Sequence, residues 1–398
     1  MRLLKILYVI AWIVLAGQGV RAAGNIRHYQ ADPNTQFSDA VIVSAGALAH
    51  TAQFIPDAGA TLTGGLRGQC RDVLRKVDVA LKQAGSALAQ IVKLNVCLRR
   101  DEDREAVERE LLKAFDVGRR PALSFVTGFL RVDDALVALD AVAVTSVAGT
   151  RAVWSRSSPT IREGALGAHV AILPEGRRVY ISGQAVRDKT ITASTRKTMV
   201  QLGETLRFLN LGFENVVQVK SFMQPMSSVA EVAGEIAKFF PEGTMPPQVF
   251  VEWVSTSPIE IELIVAGGPE RSRLDPVEFL TPTGMKASPV FSRIARINSG
   301  PMIYVAGQYG DSGSVGEAEM ATVFESLRKI LEANGSDLRH MAKATYYVSN
   351  NDSSSQLNAY RPKVYDPKRP PAASKAMVRS VGRNGHAVTL DMIAVGSK

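Results

Sequence analysis

The sequence predicts an α+β protein of three tandem domains, each with one mixed β-sheet covered on one face by two helices. Two observations predict this fold class. The same order of apolar strands and amphipathic helices occurs three times, and a proline that opens a late strand recurs as Pro121, Pro246 and Pro371, each 125 residues after the one before. Repeats that stack into solenoids are about 20–50 residues long, so a period of this length is that of whole domains.

The N-terminus is predicted to be a secretory signal peptide, residues 1–23. A basic start, MRLLK, precedes an apolar run over residues 6–17 and small residues at Ala22 and Ala23. This pattern indicates export, to the periplasm or the medium, with cleavage after Ala22 or Ala23. A retained membrane anchor is the alternative, although the run is shorter than the ~20 residues that a bilayer requires.

The composition is that of a globular protein, with 46% hydrophobic and 21% charged residues in a chain of 398. The formal net charge of +9 falls to +6 if the signal peptide, with three basic residues and no acid, is removed. The remaining basic residues are mixed with acids, as in residues 99–110. This mixing favours a solvated surface over a nucleic-acid groove. We therefore expect neither a nucleic-acid partner nor membrane association after cleavage.

Cysteine and histidine usage gives no sign of a metal site. Cys70 and Cys97 either form a disulfide in an exported protein or, more simply, are two buried thiols between helix and sheet. The five histidines lack metal-ligand spacing. No metal and no cofactor is expected.

The middle copy shows the order of elements most clearly. Its first helix carries apolar residues at three- and four-residue intervals, at Met199, Leu202, Leu206 and Leu209. The predicted elements are a strand at 179–184, a helix at 195–212, a strand at 216–223, a helix ending at 237–240, and strands at 246–254 and 259–267.

The outer copies follow the same order, and the predicted domains are 26–148, 152–268 and 284–398. The strand VYISGQA at 179–185 is matched to VIVSAGA at 41–47 and to residues 302–308. Gly85, Gly212 and Gly335 fall just past the three first helices, where a left-handed residue ends a helix. Each sheet leaves one face bare, so the three copies are expected to cover one another.

The strings SGQ at 182–184, PPQVFVE at 246–252 and IEIE at 259–262 resemble the Rid family (YjgF-like, also called endoribonuclease L-PSP). The middle copy is the most similar. The resemblance implies a chorismate-mutase-like fold and a homotrimer with a ligand cleft at each subunit interface. Three copies in one chain would then form a monomeric, intrachain pseudo-trimer, in which the three clefts need not be alike.

The resemblance also implies a reaction, the hydrolysis of reactive enamines and imines to a keto compound and ammonia. In that family a strand arginine holds the substrate carboxylate, and an acid on the last strand orients water. The arginine position lies two residues after the strand-opening proline, where this chain has Leu123, Gln248 and Ala373. No copy keeps the guanidinium, which counts against the family's reaction.

The last-strand acid is kept in all three copies, as Glu262, Asp391 and Asp140. These are the catalytic candidates, and the alternative is that they bond backbone groups between copies. With Ala47 aligned to the SGQ amide, the first copy is predicted to hold the most degraded cleft. The substrate-binding candidates are Gln184, Gln248, Gln308, Asn358 and Lys375.

Two functions follow from these residues. One is an exported enzyme acting on a small imine, enamine or carbonyl metabolite. The other is a non-catalytic small-molecule binder or scaffold that uses the same clefts. RNA cleavage rests only on the family's older name.

Overall fold

The computed structural model describes residues 25–31, 35–57, 64–147 and 152–397. The predicted signal peptide lies outside the described residues. Among the helices that the structure describes, none is long and apolar enough to cross a membrane.

Each copy supplies six strands and two helices, and the elements follow one another in the same order. Those of the first third are β1 (Ile26–Tyr29), β2 (Ala40–Val43), β3 (Ala47–Thr51), α1 (Gly65–Gln83), β4 (Ile91–Leu98), α2 (Arg104–Leu112), β5 (Ala122–Thr127) and β6 (Val137–Thr145). Those of the middle third are β7 (Trp154–Arg156), β8 (Val170–Leu173), β9 (Arg178–Gln184), α3 (Ile191–Phe208), β10 (Val216–Met223), α4 (Val229–Ala237), β11 (Gln248–Glu252) and β12 (Ile259–Ala266). Those of the last third are β13 (Val277–Leu280), β14 (Ile294–Ile297), β15 (Met302–Val305), α5 (Glu317–Ala333), β16 (Met341–Val348), α6 (Asn351–Val364), β17 (Ala372–Met377) and β18 (Val388–Val395).

The strands form three mixed sheets of six strands. Their orders are β5-β4-β6-β3-β8-β7, β11-β10-β12-β9-β14-β13 and β17-β16-β18-β15-β2-β1. In each sheet one pair is parallel, for example β4 with β5, because the second helix of the copy connects the two strands. The predicted fold class, three tandem α+β copies, is confirmed.

The sheets also exchange strands, which the sequence did not indicate. The first two strands of every copy leave their own sheet and pair with the copy before: β8 pairs with β3, and β14 pairs with β9. The first copy closes the ring, because its β2 pairs with β15 of the last copy. Each sheet is therefore four strands of one copy extended by two strands of the next, and the beginning of the described chain is hydrogen-bonded to its end.

The bare faces of the three sheets meet in one shared core. Val142, Ile264 and Ile393 occupy equivalent positions on the three last strands, and all three are buried in this core. The other face of each sheet packs against its own two helices, which bury separate apolar clusters. The prediction that the copies cover one another agrees with this packing.

Strand pairing corrects the sequence alignment of the first copy. Gln184 pairs with Ile261 on the last strand, and the matching bridges are Gln308 with Leu390 and Phe54 with Leu139. The counterpart of the SGQ string is therefore residues 52–54, and the match to residues 41–47 was wrong. The glycine at Gly46 suggested the wrong alignment, because it lies in the turn between β2 and β3 rather than at the end of β3.

The helix ends agree with the prediction in two of three copies. Gly85 and Gly335 have left-handed backbones, with φ of 63° and 72°. In the middle copy the left-handed residue is Asn210, with φ of 56°, so the prediction for Gly212 was wrong. Asparagine tolerates this conformation better than most residues, and the helix ends earlier than the glycine suggests.

Both cysteines are buried free thiols, the simpler of the two predictions. Burial raises the pKa of each thiol to about 12. Cys97 accepts a hydrogen bond from the Nε2 of Gln53, at 3.4 Å.

Candidate functional site

The three copies meet at three equivalent interfaces, which we number by the copies that form them. At each one, a residue at or just after the end of the third strand of one copy (β9, β15 or β3) contacts the fifth strand of the next copy (β17, β5 or β11). The defining contacts are Gly183 N to Ser374 Oγ at interface 2/3 (3.2 Å), Gly307 N to Leu123 O at interface 3/1 (2.7 Å) and Gln53 N to Gln248 O at interface 1/2 (2.9 Å).

The three predicted catalytic acids lie around the shared axis, in a cluster with three lysines. Two of the acids form ion pairs between copies: Lys93 Nζ lies 2.8 Å from Asp391, and Lys343 Nζ lies 2.8 Å from Glu262. Lys220 donates to the hydroxyl of Tyr347, at 2.9 Å. Three positive and three negative side chains make the cluster neutral, which lets it be buried.

The third acid lacks the lysine that the other two have. Gln218 stands where the other copies have Lys93 and Lys343, and it donates instead to the carbonyl of Thr51, at 2.8 Å. Asp140 is left with a 2.8 Å hydrogen bond from Asn95. Burial raises the pKa of Asp140 to about 6, against the lowering effect of Lys220.

The other two acids are ionised in this cluster. Burial alone would raise the pKa of Glu262, but the charges of Lys343 and Lys220 bring it below the ordinary value. The pKa of Asp391 is lowered in the same way by Lys93, again against burial. The carboxylates of Glu262 and Asp391 are thus occupied by lysines of the neighbouring copy, an arrangement that joins the copies. Their catalytic role stays a prediction.

The predicted glutamines do not come together. Gln184 donates to Thr205 Oγ1 at 2.8 Å, on α3, and the side chain of Gln308 accepts from Ser326 at 2.9 Å, on α5. Gln184 therefore fixes the end of β9, and Gln308 the segment after β15, to the first helix of the same copy. Gln248 is buried at interface 1/2 and bonds the carbonyl of Pro246, at 3.1 Å.

Asn358 and Lys375 do meet, at interface 2/3. Lys375 Nζ donates to Asn358 Oδ1 at 3.0 Å and to Ser354 Oγ at 2.7 Å. Arg361 donates to the same Asn358 oxygen at 2.7 Å. Burial and the nearby Arg361 lower the pKa of Lys375. Two of the predicted binding residues are therefore part of one polar network on the third copy.

Glu260 faces this network from the second copy, and sequence reasoning missed it. Its carboxylate lies directly over Gly183, in space that any side chain at that position would occupy. Oε1 is buried and has no hydrogen-bond partner among the described residues. Burial and the charge of Glu262 raise the pKa of Glu260 to about 7, although Ser374, Lys375 and Arg293 oppose this shift.

The signal for Glu260 was present but ambiguous. Glu260 and Glu262 alternate on one strand, and the sequence favours Glu262 because the outer copies have an acid at its position. The positions equivalent to Glu260 hold Ala138 and Thr389. An acid in one copy alone, opposite a glycine, is what distinguishes interface 2/3.

Interface 1/2 is filled by side chains. Gln53 replaces the glycine, and its Oε1 accepts from Phe250 N at 3.3 Å. Phe54 is fully buried and contacts the ring of His169 edge-on, with centroids 5.8 Å apart. Phe250, 2% exposed, stands at the position of Lys375. No charged group equivalent to those of interface 2/3 is left there.

Interface 3/1 holds a cavity of about 560 Å³. Gly307 of the third copy and Leu123 of the first copy line it, so the cavity lies between these two copies. Thr389 and Phe125 occupy the positions of Glu260 and Lys375. The three interfaces of one chain thus differ in chemistry. Interface 2/3 brings an acid to basic side chains, interface 3/1 is an open cavity lined by charged and aromatic side chains, and interface 1/2 is closed.

Within the described ranges no group of histidine, cysteine or acidic side chains is arranged to hold a metal ion. The positions at which the resemblance places an arginine hold Leu123, Gln248 and Ala373, and none of these side chains can clamp a carboxylate with two parallel bonds.

Comparison with solved structures finds proteins of one-copy length. A YjgF-family protein from Neisseria meningitidis is 26% identical over 30% of this chain and 94% of its own, with a TM-score of 0.23. The Rid-family protein YyfB from Yersinia pestis is 20% identical over 30% of this chain and 98% of its own, with a TM-score of 0.28. A search of curated proteins gives no significant match.

The sequence profile described as endoribonuclease L-PSP matches this chain three times, over residues 28–145, 161–266 and 283–396. These matches cover most of the chain and coincide with the three structural copies. The chain belongs to the endoribonuclease L-PSP family, the Rid or YjgF family, and carries three tandem copies of its domain.

Proposed function

We propose that the protein binds a small imine, enamine or carbonyl metabolite at interface 2/3 and hydrolyses its C=N bond, with Glu260 as the acid–base group. One observation carries this proposal. Glu260 has a buried, unpartnered carboxylate oxygen and a pKa of about 7, and it faces the cationic side chains of the next copy. The three axial acids, in contrast, are engaged in their own cluster.

The chemistry suits a group that titrates near neutral pH. The Glu260 carboxylate accepts a proton from water as the water oxygen attacks the imine carbon. The resulting acid protonates the nitrogen to give a carbinolamine. The regenerated carboxylate then passes the proton of the new hydroxyl group to the same nitrogen, the C–N bond breaks, and ammonia leaves with the keto compound as the other product. A group whose pKa is close to the working pH performs both transfers efficiently.

Recognition of the substrate carboxylate is assigned to lysine and arginine side chains outside the usual strand position. Ala373 leaves that position without a donor, and Lys375 lies two residues along the same strand, on the same face. Arg293 lies at the start of β14, and its charge also acts on Glu260. Charge-assisted bonds from these groups would orient the carboxylate.

The second candidate is a binder without turnover. The residues at the position of Glu260 favour it, because interface 1/2 has Ala138 there and interface 3/1 has Thr389, and neither is an acid–base group. On this hypothesis the protein holds keto acids or other small carboxylates in its clefts.

The test is a coupled assay in which an amino-acid dehydratase generates 2-aminoacrylate and release of the keto acid is followed. General acid–base groups contribute about 10²–10⁴-fold, so Glu260→Gln is expected to lower kcat/KM at least about 100-fold. Thr389→Val, the matched change in the third copy, is expected to leave the rate unchanged. No acceleration by the wild-type protein would contradict hydrolysis, and thermal-shift binding of pyruvate would then support the binder.

Export and assembly complete the proposal. Residues 1–23 are proposed to direct secretion and to be removed, and N-terminal sequencing of the secreted protein tests this directly. The mature chain is proposed to be a monomer, with the exchanged strands closing the ring within one chain. Light scattering should then give a mass slightly below the 42.9 kDa of the full chain. A stable mass three times larger would contradict closure within one chain.

A further inference from the structure

The cavity at interface 3/1 has a chemistry that the proposed reaction does not use. Its volume of about 560 Å³ lies in the range of small-molecule sites. It has no acid at the position of Glu260, since Thr389 stands there and donates to the carbonyl of Gln308, at 3.0 Å. Whatever binds here is not positioned for the acid–base chemistry of interface 2/3.

One guanidinium is held rigidly in this cavity, and it comes from a helix rather than from the strand. Arg104, the first residue of α2, donates through Nε to Glu108 at 2.9 Å. Its Nη1 donates to the hydroxyl of Tyr309 at 3.1 Å and to the carbonyl of Gly382 at 2.7 Å. The Tyr309 hydroxyl in turn donates to Val381, at 2.8 Å. Two copies thus fix one arginine at their interface.

The Nη2 group of Arg104 has no hydrogen-bond partner among the described residues. The hydrogen bonds of the described residues use its Nε and Nη1 but not its Nη2. The guanidinium lies over the ring of Phe125, 4.5 Å from its centroid, and its side chain is 22% exposed. The Nη2 group can still donate a charge-assisted hydrogen bond to a carboxylate. Leu123, Phe125 and Phe37 supply an apolar floor beside it.

The rim of the same cavity is acidic. Its carboxylates belong to Asp39, Asp101, Glu102, Glu105 and Glu108, and the basic side chain of Arg383 lies beside Tyr309. Glu102 and Glu105 pair with Arg100 and Arg109 at 3.6 and 3.5 Å, in exposed geometry. Exposed pairs of this kind contribute little and exchange readily. The rim therefore attracts a positive group while Arg104 attracts a negative one.

We propose that interface 3/1 binds a free α-amino acid with an apolar side chain, independently of turnover at interface 2/3. The carboxylate bonds Arg104 Nη2, the ammonium group faces the rim carboxylates, and the side chain packs on Leu123, Phe125 and Phe37. Each end of the zwitterion meets the opposite charge, and the floor meets the apolar part.

Calorimetric titration of the full chain with leucine tests this proposal. Two analogues test the contributions of the two charged groups of leucine separately: 4-methylpentanoate lacks the ammonium group, and 3-methylbutylamine lacks the carboxylate. Each is expected to bind at least about tenfold more weakly than leucine, and Arg104→Gln is expected to weaken leucine binding by a similar factor. Lys375→Met, at interface 2/3, should leave leucine binding unchanged.

A second variant keeps the test valid if Arg104→Gln fails to fold. Ala306→Leu adds bulk to the cavity wall without touching the ion network and should abolish leucine binding. Absence of heat with millimolar leucine would overturn the proposal. Equal binding of the amine and leucine, or loss of binding in Lys375→Met alone, would overturn it as well. Because the readout is binding, an inactive enzyme does not affect the result.

Discussion

Interfaces 2/3 and 1/2 are built from the same strand positions and have opposite contents. At interface 2/3 a glycine leaves room for the carboxylate of Glu260, which faces Lys375. At interface 1/2 the positions of the glycine, the acid and the lysine hold Gln53, Ala138 and Phe250, and all three side chains are buried. One interface keeps unpartnered charge, and the other is a packed core.

The difference shows what joining three copies in one chain permits. In a homotrimer a substitution changes all three clefts together, whereas here each interface has its own residues. A buried, incompletely paired carboxyl group destabilises the folded protein, and packed aromatic rings stabilise it. One interface can thus carry a reactive group while another supplies the stability that this group costs.

The largest expected effect distinguishes the two interfaces at one strand position. Phe250→Ala leaves a cavity in a packed core and should lower the free energy of unfolding by about 3–5 kcal/mol. Lys375→Ala, at the equivalent position of interface 2/3, removes a half-buried side chain with two hydrogen bonds and should cost about 1 kcal/mol. Denaturant unfolding measures both, and equal losses would contradict the difference in packing.

A single substitution in the axial ion pairs gives interface 2/3 the side chain that interface 1/2 has at the same position. Lys343→Gln reproduces Gln218 and leaves Glu262 buried without its lysine, at an expected cost of about 3–5 kcal/mol. The control is Lys363→Gln, which breaks an exposed pair with Glu317 and should cost less than about 1 kcal/mol. A loss in Lys343→Gln no greater than in the control would show that the axial cluster is not energetically coupled.

Glu260 should make stability depend on pH in a direction opposite to that of most carboxyl groups. Its pKa in the folded protein is about 7, raised from an ordinary 4.5, so the folded state holds the proton more tightly than the unfolded chain. Its contribution is present below pH 4.5 and is lost as the pH rises through 7. By proton linkage the loss approaches about 3 kcal/mol.

Glu260→Gln removes this titration while keeping the shape of the protonated side chain. Relative to the wild-type protein, the variant should become more stable as the pH rises from 4.5 to 8. The difference between the two unfolding free energies, measured across this range, isolates Glu260 from the other titrating groups. A difference that stays constant with pH would contradict the raised pKa.

The smallest expected effect is the difference in pKa between Asp140 and the other two axial acids, Glu262 and Asp391. Asp140, which lacks a lysine partner, should titrate near pH 6. Glu262 and Asp391 should have pKa values below those of ordinary carboxyl groups. Carboxyl carbon chemical shifts report these titrations, and Asp140→Asn assigns the signal. Titration of Asp140 near 3.8 would mean that Lys220 compensates the missing partner fully.

The general fold was predictable because its signals are local or periodic. The recurring prolines and the amphipathic helices locate three copies without any knowledge of their partners, and Met199, Leu202 and Leu206 are buried as their spacing predicts. The exchange of strands was not predictable. Alternating apolar residues show that β2 or β8 is a strand but not which sheet it joins, because any apolar strand edge can pair with it.

The candidate site was predictable only in part, for a similar reason. Asn358 and Lys375 could be placed on one network from their positions, but the identity of their partner depended on how the copies meet. Alternation puts Glu260 and Glu262 on one face of a strand. Only the packing of the third copy determines that Glu262 forms an ion pair with Lys343 while Glu260 keeps a carboxylate oxygen without a hydrogen-bond partner among the described residues.

The central claim is that interface 2/3 is the functional site, and a crystal structure with bound pyruvate tests it most directly. The 2-oxo acid is the product class of the proposed reaction. We expect its carboxylate against Lys375 or Arg293 and its carbonyl towards Glu260, with no such density in Glu260→Ala crystals. Pyruvate bound only at another interface, or absent from interface 2/3 at concentrations that saturate binding in solution, would contradict the claim.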